Sequence, residues 1–171
     1  MPSILLLAPF LVAAVATDIR RRRIPNVVTI PMMVTGLALA FFQHGLPGCG
    51  WAAAGLVVGG ALLLPAFALG GIGAGDVKLL AGVGAFLGPW GVFQSFLVFA
   101  PLGAVLAILL LLLKKRSLRV VQHQAEAFWL TWLTKRNHFV FGSEKPDDPV
   151  RLPYAVPIAL GTAALVAWKL A

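Results

Sequence analysis

Carboxylates are the scarcest chemistry in this chain, with six Asp and Glu against 14 Lys and Arg in 171 residues. Charged residues make up 12% of the sequence, about half the roughly 25% of a soluble domain. The one cysteine, Cys49, excludes an internal disulfide and a cysteine-built zinc cluster. Three histidines, His44, His123 and His138, stand apart without metal-ligand spacing, so neither a metal nor another cofactor is expected. The glycine-rich run near residue 73 lacks the Gly-Lys-Ser/Thr of a phosphate loop, and no dinucleotide fingerprint is completed.

What the chain has instead is apolar surface: 60% hydrophobic residues and a mean hydropathy of +0.91. In a soluble protein the net charge of +8 would point to nucleic acid. Here the basic residues lie in blocks between apolar runs, the pattern of a cytoplasmic membrane face, so the expected partner is a lipid bilayer and not nucleic acid.

Six apolar segments stand out, at about 3–17, 27–43, 51–69, 77–88, 91–113 and 152–170. A bilayer core takes roughly 20 helical residues, with about 17 as the practical minimum, so the first and fourth segments are short. Backbone groups find no partner in lipid, which makes helix the default for every span. The expected fold is all-α, one polytopic membrane bundle of six transmembrane helices over residues 1–171. "HGLPGCG" (His44–Gly50) and "GPWG" (Gly88–Gly91) read as short outer connections.

The N-terminus imitates a secretory signal, with an apolar core and "AVA" at Ala14–Ala16. No Lys or Arg precedes that core, and four arginines follow it, which reverses the order of a signal peptide. A first membrane helix entering with its N-terminus outside fits better. All Lys and Arg except Lys169 then fall on the cytoplasmic side, in Asp18–Asn26, around Gly70–Lys78 and in Lys114–Arg151. Within 114–151, Leu118, Val121, Ala125, Phe128, Trp129 and Trp132 recur at helical spacing. This cytoplasmic amphipathic helix lies in the membrane interface or packs on the bundle ends. "GSEKPDDP" (Gly142–Pro149) reads as an exposed loop with solvated acids.

Two of the six carboxylates stand alone at the ends of apolar helices. Asp18 closes the first segment and Asp76 opens the fourth, and two intervening spans put both on one face. A carboxylate pair on one water is the minimal machinery of aspartic peptide hydrolysis: one member takes the water's proton while the other donates to the carbonyl oxygen. Two like charges that close cannot both ionise readily, so proximity itself separates acid from base. The sequence leaves open which aspartate takes which role. Simpler readings compete: Asp76 as a helix cap, and Asp18 as a surface ion-pair partner of Arg20–Arg23. The approach "GIGAGD" holds Gly73 and Gly75, which permit an extended substrate to lie close, or merely a flexible turn between packed helices. Lys78, two residues on, stabilises a nearby negative charge or simply reaches up to the interface.

With these residues in view, a family resemblance emerges. "DIRRRRIPN" (Asp18–Asn26) resembles the first aspartate motif of the type IV prepilin peptidases, and "GAGDVKLL" (Gly73–Leu80) resembles their second, the GxGD motif of intramembrane aspartic proteases. "LPYAVPIALG" (Leu152–Gly161) is similar to the final helix of short members serving Flp/Tad-type pili. The resemblance implies Asp18 and Asp76 as the catalytic pair and, as substrate, a pilin or pseudopilin precursor cleaved at the cytoplasmic surface of the bacterial inner membrane. It also implies contact with pilus or secretion assembly proteins. Two departures stand. The paired CxxC region of long bifunctional members is not in this sequence, so N-methylation of the product is not implied. Pro157 occupies a position where related sequences more often carry a small residue. The rival functions are a proton- or ion-coupled transporter, since intramembrane carboxylates often serve as relays, and a non-catalytic assembly subunit.

Overall fold

The computed structural model describes residues 2–68, 72–113 and 154–170. They form four helices: α1 (Pro2–Arg21), α2 (Asn26–Ala68), α3 (Ala74–Leu113) and α4 (Ala155–Leu170). The chain is all-helical over this range, as expected from apolar segments whose backbone groups must be satisfied internally. α2 and the Ala74–Val105 part of α3 are long and apolar enough to cross a membrane, and Ala155–Lys169 is a shorter apolar helix. The expected amphipathic helix and acidic loop within 114–151 lie outside the described residues.

The two short outer connections are tighter than the sequence suggested. Helix runs through both, interrupted at one glycine each: Gly45 (φ 65°) in α2 and Gly88 (φ 71°) in α3. Positive φ ends a helix at low cost only for glycine. Pro47 and Pro89 follow within two residues, where the fixed φ of proline suits the first turn of a restarting helix. Glycine and proline together therefore replace the loop.

Each break reverses the chain, as the packing shows. Before Gly45, Met32 lies on Gly82 and Gly36 on Ala85, so numbers rise together along α2 and α3. After it, Gly55 meets Gly84 and Gly88 whereas Gly59 meets Leu80, so they run in opposition. A methyl group on Gly55 would strike the Gly84 carbonyl oxygen and lie 2.8 Å from Gly88 Cα. Here backbone packs on backbone, an approach that only small residues allow. The second half of α3 runs antiparallel to α4: Ser95 pairs with Thr162, Phe99 packs on Gly161 and Gly103 on Tyr154. The buried Ser95–Thr162 hydroxyl pair, 2.9 Å apart, fixes the height of α4, and Thr162 Oγ1 also donates to Ile158 O at 2.8 Å.

α1 joins through Leu7, Leu11 and Ala14, buried with Leu79, Leu80 and Val83 in one apolar core. Outward faces are apolar too: Val12, Val27, Phe42 and Trp168 are all at least two-thirds exposed. Large exposed apolar area of this kind marks an interaction surface. Pro157 sits in the first turn of α4, where no intrahelical N–H is lost, so this departure from the family pattern leaves the helix intact.

Candidate active site

α1 ends three residues after Asp18. The Arg22 N–H donates to the Asp18 carbonyl at 2.7 Å, and Arg22 then turns left-handed at φ 50°. The chain crosses Arg23–Pro25 and re-enters helix at Asn26, with the Val28 N–H donating to Pro25 O at 3.0 Å. This short return carries Ile24 inward, where it is 9% exposed. Gly75 lies directly against it: a methyl there would be 3.1 Å from Ile24 Cβ and 3.3 Å from its carbonyl oxygen. Gly75 thus lets the first aspartate motif approach the second, in keeping with the reading of these glycines as a turn between packed helices.

Asp18 is 5% exposed, and its Oδ2 accepts the Ala155 N–H of α4 at 3.1 Å. Burial pushes its carboxyl above the ordinary carboxylate range, and the Ala155 hydrogen bond works in the opposite direction. Arg20–Arg23 are exposed, and among the described residues none forms an ion pair with Asp18. The surface-pair reading therefore falls.

Asp76 occupies the third position of α3 and is 7% exposed. Its Oδ2 accepts the Gly73 N–H at 3.1 Å, while Gly73 O receives the Asp76 N–H at 3.0 Å. A side chain at this position reaching back to the capping residue's N–H is one half of a capping box. Capping accounts for one oxygen only. Asp76 Oδ1 is buried with no hydrogen-bond partner. Asp18 lies near enough for its charge to bear on Asp76, and the Asp76 charge in turn bears on the Tyr154 hydroxyl.

Lys78 is exposed and turns to Asn26, its Nζ donating to Oδ1 at 2.9 Å. This bond ties the end of the first motif to the start of the second. Sequence reasoning missed Asn26, Ile24 and the Ala155 N–H. The signal for Asn26 was its place in the first motif, but a backbone donor leaves no trace in residue type. Among the described residues no cluster of three or more His, Cys, Asp or Glu could hold a metal ion.

Residues 5–112, more than half of the chain and including both aspartates, match the model of the type IV leader peptidase family. The chain belongs to that family. Within it, the Prepilin leader peptidase/N-methyltransferase of Xanthomonas campestris pv. campestris is 34% identical to this chain over 120 residues. That stretch covers 66% of this chain and 42% of the Xanthomonas protein. No solved structure matches. The leader peptidase match ends before α4, so the Ala155 contact to Asp18 rests on the structure alone.

Proposed function

We propose that this protein is a membrane aspartic endopeptidase that removes the leader from prepilins or pseudopilins at the cytoplasmic face of the inner membrane. The observation that supports the reading is that the two motif helices each bury a carboxylate, Asp18 near enough for its charge to bear on Asp76, with one Asp76 oxygen unclaimed by the fold. Membership of the leader peptidase family supports the reaction class.

In this reading residues 1–171 form one membrane-embedded unit. The halves of α2 and α3 on either side of Gly45 and Gly88 cross separately, which with α1 and α4 makes six spans with the N-terminus outside. The aspartates then face the cytoplasm beside Arg20–Arg23. A substrate helix entering from the lipid brings its leader junction to the dyad. Water held between the carboxylates attacks the scissile carbonyl, one aspartate taking a proton as the other gives one. Gly73 supplies the N–H that holds Asp76, Gly75 lets the motifs meet, and Lys78 braces them through Asn26. The hydrolysis uses no cofactor.

The test is co-expression with a candidate pilin precursor, comparing wild type, Asp18→Asn and Asp76→Asn at matched membrane abundance. Leader removal by wild type and by neither variant is expected. Cleavage that survives both substitutions rejects the peptidase and turns attention to ion transport in proteoliposomes.

A further inference from the structure

The two aspartates are not equivalent in their surroundings. Asp18 receives a main-chain donor from the amino end of α4, where the first-turn N–H groups and the helix dipole favour a negative charge. A carboxylate oxygen accepting a charge-assisted N–H bond is stabilised in its ionised form. Asp76 has the pattern of a carboxylic acid. Its Oδ2 likewise accepts a main-chain N–H, from Gly73 at the amino end of α3, so the difference lies in the second oxygen: Asp76 Oδ1 is buried with no hydrogen-bond partner. An ionised oxygen left bare in such a place is costly, whereas a hydroxyl there has a proton to give. The neighbouring cation does not relieve it, because the Lys78 ammonium is engaged by Asn26 at the surface.

We infer that Asp76 carries the proton of the dyad on Oδ1 and that Asp18, held by the amino end of α4, is its ionised partner. This assignment rests on the peptidase reading for its consequence but not for its test. In hydrolysis Asp18 takes a proton from water as the water oxygen bonds to the scissile carbon. The C=O π pair moves onto the carbonyl oxygen, which takes the Asp76 Oδ1 proton, leaving Asp76 ionised and a neutral diol. On collapse the Asp18 proton passes to the departing amine as the C–N bond breaks. One diol hydroxyl returns its proton to Asp76. The dyad ends as it began, and one water has been consumed. α4 is then a positioning element of the active site, acting through Asp18.

The test is infrared spectroscopy of the full chain in lipid bilayers at mildly acidic pH, reading the C=O stretch of buried carboxylic acid. Asp18→Glu and Asp76→Glu each keep two carboxyls in the pair. The expected result is a band in wild type that shifts in Asp76→Glu and stays in place in Asp18→Glu. Asp76→Asn, which preserves an acceptor for Gly73, loses the band and serves if the glutamate variant fails to fold. A band that moves with Asp18→Glu, that moves with both, that survives Asp76→Asn, or that is missing from wild type overturns the assignment. Failure of the peptidase reading looks different: the band behaves as expected while no precursor is cleaved.

Discussion

Asp18→Asn exchanges one oxygen for an amide nitrogen at nearly constant volume, and the structure predicts that it stabilises the protein while abolishing its activity. The amide oxygen keeps the Ala155 N–H, now 3.1 Å from Asp18 Oδ2, and the new NH2 is free to turn toward Asp76, whose Oδ1 lacks a partner. Burial has raised the Asp18 carboxyl above its ordinary range. A group whose folded pKa is raised adds stability below its unfolded value and loses that contribution as pH rises through the folded one. At neutral pH the wild type therefore bears a burden that asparagine lacks. Satisfying a buried polar group is worth about 1–3 kcal/mol, and in a chain of this size each kcal/mol moves the melting temperature by about 2–4 °C. Leader cleavage should fall by about 10²–10⁴-fold, the contribution of a positioned acid or base. Thermal unfolding in bilayers, followed by helical circular dichroism at neutral and acidic pH, gives the decisive comparison. The variant should melt higher at neutral pH, with the gap closing as acid protonates Asp18 in the wild type. A variant that melts at or below wild type at neutral pH, or a gap indifferent to pH, refutes the reasoning.

Other consequences follow from the packing. Gly55→Ala drives a methyl into the Gly84 carbonyl, and neither backbone can yield without parting α2 from α3; a loss of about 1–3 kcal/mol is expected in denaturant or thermal unfolding. Arg22→Gly removes a side chain from a left-handed position that costs an L-residue about 1–2 kcal/mol, so it should raise the melting temperature with cleavage unchanged. Lys78→Met breaks only an exposed hydrogen bond to Asn26, so stability should change by no more than about 1.5 kcal/mol and single-turnover cleavage should persist.

Much of this architecture was legible in the sequence because apolar length and glycine placement are local signals. The helical segments and the placing of Asp18 and Asp76 at helix ends were readable from a charge-poor chain, whereas their burial was not. The halves of α2 and α3 appeared as separate segments because proline and glycine cluster where the chain reverses. Three further features were not readable. Gly75 left substrate approach and helix packing both open, since nothing local shows that Ile24 will lie against it. Asp76 looked like an N-cap, but the helix starts two residues earlier at Ala74, which turns the cap into a reach-back bond. The Ala155 donor is a main-chain atom brought to Asp18 from 137 residues away, and only tertiary packing creates it.

The position of Gly88 within α3 has a consequence for the surrounding lipid. From Ala74 to Gly88 the helix rises about 21 Å, and from Gly88 to Leu113 about 37 Å, at 1.5 Å per residue. If the two arms cross separately, as in the proposed six-span arrangement, then against a hydrocarbon thickness of about 30 Å one arm falls short and the other overshoots. Acyl chains beside the short arm must compress or splay, and those beside the long arm must stretch or let it tilt. On that reading the membrane would be drawn down toward Asp76 on one side of the molecule. Bilayer thickness, set by the acyl chains a cell makes, would then act on how readily water reaches the proposed carboxylate pair.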